Sequence, residues 1–212
     1  MKNSWCHGPV DHAGKPMCLF VDPPACRITD TTTEVHYVLR LGADETTARM
    51  LDTLTFRINR LLDPATIGME PALAALLPFA MACQWDLVAT APASSGFGPL
   101  LDEYARISDA WMDDWRKPMI VIPPAIQDPA LPEQRGQAVF FSGGVDSMHL
   151  LVARSGQIAD AIFLTGFDIE PAMTAHARLA SNGIQAVADM CGVGVVHVET
   201  NVRALRHYPD DW

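Results

Sequence analysis

Positive charge is scarce in this chain. Only 15 lysines and arginines stand against 25 aspartates and glutamates, giving a net charge of −10. A nucleic-acid partner is therefore disfavoured, because phosphate backbones are held mainly by Lys and Arg. There is no apolar run of about 18 residues, so nothing in the sequence spans a bilayer. The first seven residues, Met1 to His7, lack the apolar stretch of a secretory signal, and the expected location is the cytoplasm. Cysteine is sparse and odd in number: Cys6, Cys18, Cys26, Cys83 and Cys191. In a reducing compartment these are free thiols rather than a disulfide framework. Charged residues make up only 19% of the chain and hydrophobic ones 49%, a balance that excludes disorder and suits one large domain or two small ones.

Three segments follow from the pattern. Residues 1–30 are rich in Cys, His, Pro and Gly and read as an irregular arm, with Met17 to Val21 as a short extended piece at a sheet edge. Cys6, His7, His12, Cys18 and Cys26 crowd this arm. None of their spacings is the tight Cys-x₂₋₄-Cys of a structural zinc site, so free thiols are expected there.

Residues 31–136 read as an α+β unit ending in a linker. Val35, Tyr37, Leu39 and Leu41 alternate at period two, as on a half-buried strand. Asp44 then caps an expected helix running toward Leu61. Pro71 to Met81 is an apolar, buried helix, 85–90 a strand, 99–115 a helix and 118–122 a strand. On the 99–115 helix, Trp111, Met112 and Trp115 are expected to anchor the core.

Residues 137–212 change to strand–helix–strand–helix–strand. The strands at 138–141, 161–165 and 193–198 are nearly continuous apolar runs, which suits a parallel sheet covered on both faces. The expected class is thus α/β, a parallel sheet with helices on both faces, preceded by an α+β unit. Met173, Ala177, Ala180, Ile184, Val187 and Cys191 give the second helix one apolar face, and Gly183 is a place where it could divide.

The most informative residues are Ser142-Gly143-Gly144-Val145-Asp146-Ser147, set between an apolar strand and a helix. A helix N-terminus offers unpaired N–H groups and the positive end of its dipole. Glycines without a Cβ let an anion approach the backbone. The serine hydroxyls add donors, and Asp146 can cap the helix or help hold a magnesium ion.

This arrangement resembles the PP-loop of the N-type ATP pyrophosphatases, which include GMP synthetase, NAD synthetase, asparagine synthetase, argininosuccinate synthase and tRNA-thiolating enzymes. Their motif is Ser-Gly-Gly-x-Asp-Ser/Thr, and residues 142–147 match it at every fixed position. The Gly-Lys-Ser/Thr ending of a Walker loop is missing. The resemblance covers residues 137–212 and implies a Rossmann-like fold with ATP and Mg²⁺ as cofactors. It implies attack of a substrate oxygen on the α-phosphate, release of pyrophosphate, and displacement of AMP by a nitrogen or sulfur nucleophile.

By the same resemblance Ser142, Asp146, Ser147 and Arg203 carry the chemistry, and Asp146 is the metal residue. Gly143, Gly144, Val145, Gly166, Phe167 and Asp168 complete the nucleotide contacts, the last three at the end of the second strand beside the adenine. From the residues alone, 165–168 reads equally as an ordinary strand-to-helix turn, Asp168 as a cap and Arg203 as a solvated side chain. His149 reads as a packed or surface histidine.

Family domains continue for a further strand or two. The resemblance therefore leaves three arrangements open: a fragment, a second chain or second copy completing the sheet, or an edge closed by the N-terminal unit. Residues 1–136 also lack the N-terminal Cys nucleophile of a glutamine amidotransferase, so nitrogen would have to come from ammonia, an amine or a partner. The expected partner is a small-molecule substrate. Two functions remain: an adenylating synthetase, or a nucleotide-binding regulatory or assembly subunit.

Overall fold

A computed structural model describes residues 10, 14–124, 136–167 and 174–208. Among these residues nine strands form one mixed sheet. In chain order they are β1 (Cys18–Val21), β2 (Ala25–Ile28), β3 (Thr33–Gly42), β4 (Arg49–Ile58), β5 (Asp86–Ala89), β6 (Ile120–Val121), β7 (Gln137–Phe140), β8 (Ile158–Thr165) and β9 (Gly194–Thr200). The helices are α1 (Glu70–Cys83), α2 (Phe97–Trp111), α3 (Val145–Arg154) and α4 (Thr174–Cys191). The strand order is β6-β5-β1-β3-β4-β9-β8-β7, with β2 also paired to β3. The chain is therefore α/β in class, but its sheet is mixed: β7, β8 and β9 are mutually parallel, and β9 meets β4 antiparallel.

Several elements depart from the sequence reading. β1 is not an edge strand, since it lies between β3 and β5. β2 continues along the same side of β3 after Pro23 and Pro24, which cannot donate to a ladder and so split the strand in two. The helix expected after Asp44 is a strand. Asp44 instead closes a turn, accepting from the Thr47 amide at 2.9 Å and from the Thr46 hydroxyl at 2.8 Å. In the β3–β4 ladder Leu39 faces Asp52 while Arg40 faces Met50, so Leu51 is the extra residue of a β-bulge. The bulge lets both Leu51 and Leu54 bury, and their spacing of three imitates a helical period.

α1 is apolar nearly all round and is buried along most of its length, including Leu73, Leu76, Leu77, Phe79 and Met81. It packs with β1, β3, β4 and β5 in the larger core. α2 buries only Leu101 and Ala105, one turn apart. Trp111 ends this helix 81% exposed, and Met112 is exposed beside it, so neither anchors the core; Trp115 does pack partly against it. α4 runs unbroken through Gly183.

α3 and α4 cover one face of β7–β9, packing Leu151 and Ile184 onto Val139, Ala161 and Phe163. The opposite face of these strands carries Phe140, Ile162 and Leu164 and turns toward α1 and α2. The helices thus occupy both faces of the sheet, but over different strands. Among the described residues the two-sided cover expected for β7–β9 is not present, and Phe140 of β7 is 70% exposed.

The parallel strands are tied to β4 by side chains as well as by the ladder. Asn201 accepts from the Thr55 amide at 2.8 Å and donates to the Thr53 carbonyl at 2.9 Å, extending the pairing beyond the end of β9. Arg60 grips Asp160 through Nη1 and Nη2, at 2.8 and 2.6 Å, and holds its carboxyl below the usual range. Beyond β9, Val202 and Leu205 enter the larger core and Tyr208 stacks on Phe79 of α1. Asn201→Ala removes both bonds and leaves the Thr53 and Thr55 backbone groups without those partners. The expected cost is roughly 2 kcal/mol, at about 1 kcal/mol per bond, read as a lower urea midpoint with unchanged slope.

Candidate functional site

The site begins where β7 ends. Phe141 is buried against α3 and α4, and its amide donates to the Ile162 carbonyl at 2.8 Å, holding the chain in register to the last residue before the loop. Gly143 then adopts φ +81°, a left-handed conformation that favours glycine. Gly144 is extended, at φ −72° and ψ 164°, and is the N-cap of α3 without any side-chain cap bond.

The first helical bond runs from the Met148 amide to the Gly144 carbonyl at 2.9 Å, so the amides of Val145, Asp146 and Ser147 precede the helical ladder. Ser147 Oγ donates to the same carbonyl at 3.0 Å, and Ser142 Oγ accepts weakly from the Gly144 amide at 3.4 Å. A Cβ on Gly143 would meet nothing within 4 Å, and one on Gly144 only Ser142 Oγ at 3.5 Å. The space before both glycines is open. Ser142, Val145 and Asp146 are exposed around it, and Ser147 is half-buried. His149 is exposed on α3.

The neighbouring strand ends in a tighter turn. Gly166 has φ +95°, and a Cβ there would overlap the Thr200 carbonyl oxygen at the end of β9. Arg203, on a 3₁₀ turn over Val202–Ala204, donates through Nη1 to the Phe167 carbonyl at 2.9 Å. Arg203 is half-buried, and this bond braces the Gly166–Phe167 turn. Asp168 lies outside the described residues.

The loop, the Gly166 turn and Arg203 therefore follow three adjacent parallel strands at one C-terminal edge, where open α/β sheets collect ligands. Among the described residues no three or more His, Cys, Asp or Glu side chains gather as a metal site. Asp146 is the only acid in the first turn of α3. Cys18 and Cys26 fall on β1 and β2, and burial raises both thiols; Cys6, His7 and His12 lie outside the described residues.

One part of this edge has no signature in the sequence. A cavity of about 840 Å³ lies between α1, α2 and the open face of β7–β9, reaching Phe140 and Phe167. Its walls come from seven separate elements and the residues that follow them, so no contiguous stretch encodes it. Strand geometry sends Ile162 and Leu164 to the face opposite Ala161 and Phe163, and the elements across the gap come from distant parts of the chain. Among the described residues, no helix is long and apolar enough to cross a membrane. No family model, curated protein or solved structure matches the chain.

Proposed function

We propose that residues 142–147 form a PP-loop that binds ATP with Mg²⁺, and that the chain is an AMP- and pyrophosphate-forming synthetase of the cytoplasm. One observation carries the reading: a Ser-Gly-Gly-Val-Asp-Ser loop leaves a parallel strand, faces open space at both glycines, and enters a helix with no side-chain cap. Backbone amides at such a helix start favour polyphosphate oxygens. Ser142 and Ser147 supply hydroxyls, Val145 its amide, and Gly166 and Phe167 a backbone edge for the base.

Asp146 fits a magnesium role as a single carboxylate, since among the described residues no cluster of protein ligands gathers there; a bound Mg²⁺ would take its other ligands from phosphates and water. When bound, it supplies neutralisation of the leaving pyrophosphate. In the reaction a substrate carboxylate or carbonyl oxygen attacks the α-phosphorus, and the bond to the bridging oxygen breaks with release of pyrophosphate. An amine, ammonia or thiol then attacks the activated carbon, AMP leaves with the C–O bond's electrons, and the nucleophile loses a proton. Arg203 acts on this site by holding the Phe167 carbonyl, with its charge close to the same edge.

A second reading is a nucleotide-binding subunit that works only in an assembly. It is favoured by β7, which among the described residues is an end strand of the sheet and carries an exposed Phe140 next to the loop. Unpaired strand edges of this kind invite a second copy or another chain. Product analysis separates the two. The synthetase reading expects AMP and pyrophosphate in equal amounts from the isolated chain with a suitable acid and amine; cleavage only to ADP would sink it. Tight Mg·ATP binding without turnover, in a chain that associates, would favour the subunit.

A further inference from the structure

The cavity beside the loop has a definite chemical character. Tyr37, Phe56, Ile162 and Leu164 form part of its floor, and Ala74 and Leu77 of α1 with Leu101 of α2 form part of its roof. Two polar side chains that line it, Tyr37 and Glu70, are engaged within the fold. Tyr37 Oη donates to the Gly68 carbonyl at 2.7 Å, and its burial among these side chains pushes the phenol pKa upward. Glu70 accepts from the Ser94 amide at 2.7 Å. Among the described residues lining the cavity, Glu70 is the one charged residue, and none is a lysine or arginine. An anionic group deep inside would face a carboxylate and meet no cation, and burying such a charge unpaired is costly.

The end toward the loop differs. Phe140 stands two residues before Ser142, and Phe167 follows Gly166 and is gripped by Arg203. A ligand lying along the cavity would therefore place its buried part against apolar walls and its exposed end near Phe167, whose carbonyl Arg203 holds. A volume of about 840 Å³ falls within the range that encloses drug-sized ligands.

We infer that this cavity receives the uncharged, apolar body of the acceptor substrate, an aromatic or branched aliphatic carboxylic acid whose carboxyl end lies toward the loop. This rests on the nucleotide reading of residues 142–147 for the word acceptor, but the cavity's preference for an apolar body does not.

The test uses the whole chain and the neutral fluorophore N-phenyl-1-naphthylamine, whose emission rises in apolar surroundings. The expected result is one saturable site per chain, displaced by 4-phenylbutyrate but not by acetate. Ala74 is exposed on α1 at the cavity, so Ala74→Trp fills the space without disturbing the core. Dye affinity should fall at least tenfold in Ala74→Trp while Mg·ATP affinity and melting temperature stay unchanged. Gly144→Val should show the reverse, with dye binding retained and nucleotide lost.

Equal dye binding by Ala74→Trp would overturn the inference, as would displacement by acetate as effective as by 4-phenylbutyrate. Dye binding that weakens as protein concentration rises would also overturn it, because a second copy would then be the occupant. If the dye and 4-phenylbutyrate bind as expected but Mg·ATP does not bind at all, the nucleotide reading fails and the apolar site stands. Mg·ATP binding with no saturable dye site has the opposite meaning.

Discussion

Gly144→Val is expected to weaken Mg·ATP binding by about 100-fold while leaving the melting temperature of the chain unchanged. The two halves of that statement come from different observations. At φ −72° Gly144 occupies backbone space open to any residue, and a Cβ there meets only Ser142 Oγ at 3.5 Å, so the fold tolerates a side chain. The valine methyls project into the open space before the loop, where phosphate oxygens would meet the amides of residues 144–147. Losing two charge-assisted bonds of about 1.5 kcal/mol each gives the 100-fold figure, at tenfold per 1.4 kcal/mol.

Gly143 is the poorer choice for this experiment. Its φ of +81° means that a substitution there adds backbone strain to any effect on binding. Calorimetric titration beside a thermal melt checks both halves at once. Asp146→Asn sharpens the result: if Asp146 assists the metal, affinity for Mg·ATP falls while affinity for metal-free ATP does not. Unchanged binding in Gly144→Val would remove the loop from the nucleotide site.

Gly166→Ala is expected to be the most damaging small substitution at this edge, costing about 3 kcal/mol. A non-glycine residue at φ +95° carries a left-handed penalty of roughly 1–2 kcal/mol. The added Cβ would overlap the Thr200 carbonyl, so β8 and β9 must part or the turn must shift, at a further ~1–3 kcal/mol. Because Thr200 ends β9 and pairs with Phe56 of β4, the strain enters the junction between the parallel and antiparallel strands. For a chain of this size 3 kcal/mol corresponds to a fall of about 6–12 °C in melting temperature. A melt within about 1 °C of wild type would show that the close approach of Gly166 to Thr200 is not maintained. The same variant displaces Phe167, so any base contact made by that turn should weaken in parallel.

How much of this was legible depends on how far apart the deciding residues lie in the chain. The strand, loop and helix over 137–154 needed only a contiguous stretch: an apolar run, two glycines and a following amphipathic segment. Nothing distant had to be known, and the elements lie where the pattern put them. α1 was equally plain, since an apolar stretch of helix formers has no other stable place than a core. The alternation of 35–41 specified β3 for the same local reason.

Residues 49–58 were misread because a bulge at Leu51 changes the alternation in mid-strand, and a bulge is defined by the partner strand, not by the sequence that contains it. In the sequence, the spacing of Trp111, Met112 and Trp115 on the helix points all three inward. The packed face of α2 is set by Leu101 and Ala105, and the tryptophan falls outside it. Arg203 could be placed near the site from its position after a strand, but its grip on the Phe167 carbonyl joins residues 36 apart.

By itself, then, the sequence determined the local elements around the loop and the loop's own glycine turn, because helix starts, glycine turns and strand periodicity are short-range properties of the backbone. Only the tertiary structure decided that β9 pairs with β4, that Asn201 completes that pairing with its side chain, and that the uncovered face of β7–β9 closes over an apolar cavity with α1 and α2. Those outcomes depend on which distant segment satisfies a given backbone edge or apolar face. Many segments offer comparable hydrogen bonds and comparable apolar area, and only the packing of the whole chain selects among them.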